Sequence, residues 1–229
     1  MMCPPIIWQI SVSLFHRISN KNDEQPFEVV LNEYLNFKRG FYVEIGANNG
    51  LSFSNTYLLE KNRNWKGILI EPIPHKYLEC RNNRSDENLF FNNACVPFGY
   101  SQKYVEMVYV DLMTFSNDLV NDLQDESEHF RLGLDFLPST ESHFKFGAIA
   151  RTLDSILDES QAPNNIDFLS LDVEGAELEV LKGLDHNKYS FSYIAIESRN
   201  FLKTKEYLEF NGYVFMLEIC EQNYLFKKF

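Results

Sequence analysis

The sequence of 229 residues is poor in cysteine, in positive charge and in long apolar runs. Its four cysteines, Cys3, Cys80, Cys95 and Cys220, are scattered, with no C-x-x-C pair and no histidine at zinc-like spacing. That pattern excludes a zinc ribbon and a disulfide scaffold, so reduced thiols and a cytoplasmic location are expected. Lysine and arginine number 21 against 33 aspartates and glutamates, a formal net charge of −12. The basic groups, Lys38-Arg39, the pair Arg81 and Arg84, and Lys227-Lys228, are too small to form the stripe that a phosphate backbone requires. Nucleic acid is therefore not expected as a partner. No apolar run approaches the roughly 18 residues of a transmembrane helix. The mildly apolar residues 1–15 have no charged leader, are interrupted by Gln9 and precede no small-residue cleavage site, so they read as an N-terminal helix or strap. Repeats and low-complexity tracts are missing too.

What is present suits one α/β domain. Hydrophobic residues make up 45% of the chain, and 20 Phe with 12 Tyr point to an aromatic-rich core. Residues 27–37 carry apolar side chains at helical spacing. Residues 41–45 read as a short buried strand, 46–50 as a turn, and Ser52 or Ser54 as the cap of a helix running to about Lys61. A second buried strand, 67–71, stops at Pro72 and Pro74; a helix carrying Tyr77, Leu78 and Cys80 follows, then a strand at 89–92. Apolar strands alternating with helices imply a parallel sheet covered on both faces. The rhythm breaks over 94–110, read as one or two extra strands, and over the acidic residues 111–142, read as loop or short helices that are either a solvated insertion or a substrate lid. It resumes with an edge strand at 144–150 and a helix at 153–160. Next come a buried strand at 166–171, a helix at 176–182, a strand at 193–197 and a helix at 204–210. A final pair of strands covers 213–217 and 223–227.

Three segments carry chemistry. In V-E-I-G-A-N-N-G, residues 43–50, Gly46 and Gly50 are spaced G-x-x-x-G between a strand and a helix. Gly46 permits a tight turn and close approach to backbone, and the helix start beyond it favours an anionic group. Asn48 stands where a dinucleotide loop would place its middle glycine, which argues against a pyrophosphate on the loop. Glu44, an acid in an apolar strand, is read as reaching the cleft to meet a cationic ligand group rather than being satisfied by backbone N–H groups. Glu71 ends the second strand, placed to accept hydrogen bonds from ribose hydroxyls of an adenosine-type ligand. In D-F-L-S-L-D-V-E-G-A-E-L-E-V-L-K-G, Asp172 and Glu174 end a buried strand, where open α/β sheets place their ligands, and either acid fits a general base, a substrate clamp or a helix cap. Glu177 and Glu179 are assigned to the solvated helix face, with Glu177 a candidate cap.

Taken in order, F-Y-V-E-I-G-A-N-N-G, G-I-L-I-E-P, R-T-L-D-S-I-L and I-D-F-L-S-L-D-V-E-G-A-E-L-E-V-L-K-G resemble the FkbM family of methyltransferases, over residues 41–183. The resemblance implies a Rossmann-like class I methyltransferase fold: a mostly parallel seven-stranded sheet with one antiparallel strand and helices on both faces. It implies S-adenosylmethionine as cofactor and methyl transfer, typically to a hydroxyl oxygen. Glu44, Gly46 and Gly50 would surround the methionine part, Glu71 would hold the ribose, and Asn93 with Ala94 would lie near adenine. Ala47, Asn48 and Pro72 complete the cofactor-binding set, and Asp172 would face the methyl. Candidate bases are Asp172, Glu174 and His143, with His75 read as structural or adenine-adjacent. His16, His129 and His186 have no supporting context. No metal is expected; if one were bound, Asp172 and Glu197 would be its ligands, with Asn200 close by. The acceptor is expected to be a small molecule, sugar or glycan. The domain plan is an N-terminal helical extension, 1–40, and a methyltransferase domain, 41–229, with the acidic insertion at about 111–142. The rival readings are a nicotinamide-dependent oxidoreductase and a non-catalytic binding module.

Overall fold

The computed structural model describes residues 26–123 and 125–229. The strap read over residues 1–15, with Cys3 and His16, lies outside them. Each of the runs F-Y-V-E-I, K-G-I-L-I and N-I-D-F-L-S-L is rich in β-branched and aromatic residues and bounded by turn formers, and each forms a strand. These are β1 (Phe41–Ile45), β2 (Lys66–Ile70) and β8 (Asn165–Leu171). Between and around them lie α1 (Pro26–Tyr34), α2 (Tyr57–Arg63), α3 (Pro74–Asn83) and the strands β3 (Leu89–Phe91), β4 (Ala94–Cys95), β5 (Tyr104–Tyr109) and β6 (Phe115–Ser116). Then come α4 (Glu126–Leu134), β7 (Phe144–Arg151), α5 (Leu153–Glu159), α6 (Glu177–Leu181), β9 (Ser190–Glu197), α7 (Phe201–Phe210), β10 (Tyr213–Cys220) and β11 (Asn223–Lys228).

The main sheet runs β10-β11-β9-β8-β1-β2-β3, with β3, β2, β1, β8 and β9 mutually parallel. β11 is antiparallel to both of its neighbours. This is the class I methyltransferase topology, with a single reversed strand. Side chains alternate across it with the strand period of two. Val43, Ile45, Ile68, Ile70, Leu169 and Leu171 face α5, α6 and α7. Tyr42, Leu69 and Phe168 face the other way, onto Phe27, Leu31 and Leu35 of the N-terminal segment and Leu59 of α2. Phe27, Leu31 and Leu35 recur every fourth residue, so one stripe of α1 closes that face. Burying side chains of this size contributes about 1.5–3 kcal/mol each. The N-terminal helix is thus a layer of the fold, in one apolar cluster with Ala195 of β9 and Leu225 of β11.

A second sheet, β4-β7-β5-β6, carries the irregular middle of the chain. β7 was expected at an edge; instead it pairs with β5 along Phe144–Ile149 and with β4 through Ala150 and Arg151. The acidic residues 111–142 are not a solvated loop. They form a 3-10 turn at Asp111–Met113, the strand β6 and the helix α4 around a core of their own: Val108, Val110, Met113 and Phe115 packed with Phe130, Phe136 and Leu137. Nor do Ser52 and Ser54 cap a helix. Helix α2 starts later, at Tyr57, and the Ser54 hydroxyl is spent on Glu44 at 2.9 Å.

Beneath the first half of the sheet lies a buried polar cluster centred on Arg84, whose side chain is fully buried. Its Nε donates to Glu60 at 2.7 Å; Nη1 reaches Ser54 at 3.0 Å, the Gly50 carbonyl at 3.2 Å and Glu44 at 3.4 Å; Nη2 reaches the Tyr42 hydroxyl at 2.6 Å and Thr56 at 3.0 Å. Asn88 ties Glu60 to the N–H of Gly67 on β2. The guanidinium compensates two buried carboxylates, so removing it strands both. Arg84→Met is expected to destabilise the protein by about 3–5 kcal/mol, read as a lower midpoint in urea unfolding.

Candidate active site

The crevice lies at the carboxyl ends of β1, β2, β3, β8 and β9. On its left side Gly46 leaves β1 at φ +83, with Asn48 at φ +47 and Gly50 at φ +72. A Cβ on Gly46 would lie 1.8 Å from the Asp172 carbonyl oxygen, and one on Gly50 would lie 2.7 Å from Cys80 Sγ. Glycine is demanded here by the protein itself: the β1 turn packs against the β8 turn, and Asp172 N–H donates to Ile45 O at 3.2 Å. Glu71, at the tip of β2, is 4% exposed and accepts from Asn48 N–H at 2.7 Å and Ile73 N–H at 2.8 Å. Burial pushes its carboxyl up to about 7, against the pull of those two N–H groups. The Asn48 side-chain oxygen beside it is buried with no hydrogen-bond partner among the described residues.

The right side is charged. Asp172, Glu174 and Glu197 each offer one oxygen within 4.8 Å of the others. Glu174 adopts φ +57, which turns the D-V-E-G segment back over the strand end. Arg199 Nη2 donates to Glu174 Oε2 at 2.7 Å and lies 3.8 Å from Glu197 Oε1. Asp122, from the insertion, accepts from the N–H groups of Arg199 at 2.9 Å and Asn200 at 3.1 Å, and its own N–H donates to Gly175 O at 2.9 Å. His129 of α4 bonds the Met113 carbonyl at 3.0 Å and stands 3.7 Å from Glu174. Burial, reinforced by Arg199, pulls the His129 ring down to about 4, so it is neutral. The insertion is also latched over the other side, where Lys76 of α3 pairs with Asp111 at 2.9 Å and Tyr109 joins His75 to Glu141. The acidic segment therefore roofs the crevice from rim to rim.

A family model described as the methyltransferase FkbM domain matches residues 44–226. This chain belongs to the FkbM methyltransferase family. Among solved structures, a precorrin-6y C5,15-methyltransferase from Geobacter metallireducens is similar at 15% identity, covering 90% of this chain and 91% of that one, with a TM-score of 0.42. A putative RNA methyltransferase from Pyrococcus horikoshii is similar at 10% identity, covering 100% and 99%, also with a TM-score of 0.42. Similarity at that level carries no conclusion about acceptor. No curated protein matches significantly.

In this FkbM methyltransferase the expected residues divide. Gly46, Ala47, Asn48, Gly50, Glu71 and Pro72 surround the tips of β1 and β2. Asn93 and Ala94 are buried past β3, but the Asn93 amide is spent on the Ile149 carbonyl of β7 at 3.1 Å. Glu44 does not reach the crevice. Its neighbours Val43 and Ile45 point to one face, so Glu44 points with Tyr42 to the other, where Ser54, the Asn55 N–H, Thr56 and Arg84 take its oxygens. His143 is exposed with its ring edge-on to Phe130; the histidine beside Glu174 is His129, which no local pattern singles out. Arg199 was likewise missed. Its only signal is its place two residues past a strand-end acid.

Glu177 and Glu179 are buried, at 2% and 8% exposure, rather than solvated. Helix α6 is only five residues long, and the Tyr207 hydroxyl of α7 bonds its Leu181 carbonyl at 3.0 Å. Glu179 pairs with Lys182 at 2.5 Å, while Glu177 reaches back to the N–H groups of Val173 and Gly175 at 3.0 and 3.1 Å. Burial, with Glu197 adding to it, pushes the Glu177 carboxyl up to about 8. A carboxyl raised this way stabilises the fold fully below its ordinary range, and that contribution fades as pH rises through about 8. Glu177→Gln is expected to lie within about 1 kcal/mol of the parent at pH near 5 and to exceed it by about 4 kcal/mol at pH near 9, measured by denaturant unfolding across pH.

Proposed function

We propose that this FkbM methyltransferase methylates a hydroxyl oxygen of a small neutral acceptor, a sugar, glycan or comparable polyol, with S-adenosylmethionine as donor. The observation that carries the reading is the pairing of Glu71 with the glycine turn. One buried carboxylate at the β2 tip holds the Asn48 N–H, and the orphaned Asn48 side-chain oxygen lies beside it. A carboxylate oxygen has two acceptor sites, so Glu71 can hold those N–H groups and still accept ribose hydroxyls. The Asn48 oxygen fits the ammonium of the methionine part. When bound, S-adenosylmethionine supplies a methyl group activated on a sulfonium.

The protein's own tasks are to align the acceptor, take its proton and keep water out. Asp172, fixed by its backbone bond to Ile45, is the base in this reading. The roof over the crevice excludes water that would compete for the methyl. Acids outnumber cations around the acceptor side, with Asp122, Asp172, Glu174 and Glu197 facing Arg199. That balance disfavours a phosphorylated or nucleic-acid acceptor and suits hydroxyl groups, which donate to carboxylates.

Calorimetric titration with S-adenosylhomocysteine and, separately, with NAD tests the cofactor assignment. S-adenosylhomocysteine alone is expected to bind, and Glu71→Ala is expected to weaken it by about 10-fold or more through loss of charge-assisted hydrogen bonds. Affinity should rise as pH passes about 7, where Glu71 ionises, and Glu71→Gln should flatten that rise. Binding of NAD alone would overturn the reading, and binding of neither would favour a non-catalytic module.

A further inference from the structure

Three carboxylates at neighbouring strand ends, with oxygens within 4.8 Å of each other, are a donor set a divalent cation could use. In this protein a guanidinium stands among them. Arg199 Nη2 is 2.7 Å from Glu174 Oε2 and 3.8 Å from Glu197 Oε1, and Nη1 faces Asp122 Oδ1 at 4.0 Å. The backbone of Arg199 is pinned as well, by its N–H bond to Asp122. Burial pulls the guanidinium down, but Glu174, Glu197 and Glu177 more than offset this and hold it charged well beyond the ordinary range. His129, the other basic group facing Glu174, is neutral. A hard dication would need carboxylate oxygens at about 2.0–2.6 Å from one point, and it would sit beside a fixed positive charge that already answers the same carboxylates.

We propose that Arg199 is a positioning residue that takes the place of a divalent metal on the acceptor side: its guanidinium holds Glu174 and Glu197 while its backbone N–H holds Asp122 of the insertion, so that Asp172 is the carboxylate that meets the acceptor. The role of Asp172 rests on the methyl-transfer reading; the replacement of a metal by arginine does not. Lysine is a point charge without the planar fork, so Arg199→Lys keeps the charge but not the geometry.

The test uses Mn²⁺ as probe, with free and bound ion separated by electron paramagnetic resonance, on the full chain. The parent protein is expected to leave Mn²⁺ free up to about 1 mM, the weak end of protein cation sites. Arg199→Ala is expected to take up a single Mn²⁺ at least roughly tenfold more tightly, and adding Glu197→Gln should abolish that uptake. Arg199→Lys should stay without Mn²⁺. S-adenosylhomocysteine affinity is expected to change less than about twofold in all of them, which separates failure of this inference from failure of the cofactor assignment. Arg199→Gln replaces Arg199→Ala should the latter not fold. Mn²⁺ uptake by the parent that is lost in Glu197→Gln, or folded Arg199→Ala and Arg199→Gln that bind no more than the parent, would overturn the proposal.

Discussion

One buried cation sets the geometry of the turn after β1. Arg84 touches β1 through Tyr42 and Glu44, the glycine turn through the Gly50 carbonyl, and α2 through Thr56 and Glu60. Each of those contacts is hidden from water, so the network is worth having only when complete. The turn after β1 is therefore not held by its own sequence alone. It is hung between an arginine below it and the Asp172 carbonyl beside it, which lies so close that only glycine fits at residue 46. The turns after β1 and β8 are thus placed relative to one another by backbone contact.

The charged cluster at the ends of β8 and β9 follows a different logic. Its charges are contributed by segments far apart in sequence: Asp122 and His129 from the insertion, Glu174 from the turn after β8, Glu197 and Arg199 from the end of β9. The high acidity of residues 111–142 has a structural use here. Asp122 receives the first N–H groups ahead of α7, and Asp125 caps α4 by accepting from Ser127 and Glu128. Acids at helix starts are stabilised by the helix field as well as by hydrogen bonds.

Much of the fold was legible. The strands at 41–45 and 166–171 are apolar runs between turn formers, and a parallel sheet buried on both faces makes such runs unambiguous. The direction of Glu44 is legible in the strand period as well: Tyr42 and Glu44 share one face, Val43 and Ile45 the other, so Glu44 points under α2 and α3. Other misreadings had no such signal. Arg84, grouped with Arg81 as a short basic pair, shows nothing of its burial locally, because Glu60 and Asn88, which neutralise and orient it, meet it only once α2, α3 and β2 have packed. His129 and Arg199 meet at Glu174 only because the insertion folds back over the sheet. Where pairing depends on tertiary contact between irregular segments, local pattern carries no trace of it.

The roof leaves and rejoins the domain at a single place. Ala94 and Cys95 pair with Ala150 and Arg151, so the chain that departs after β4 returns on the strand beside it. Everything between is a closed excursion whose ends are already side by side. Lengthening or replacing such an excursion changes loop entropy only slowly with length and leaves the register of the main sheet untouched. The turns after β1 and β8 have no comparable freedom, since Gly46 abuts the Asp172 carbonyl and Arg84 holds the Gly50 carbonyl. On this plan the whole of the second sheet and its helix is a cassette, which can vary in length and content while the main sheet keeps its strand order.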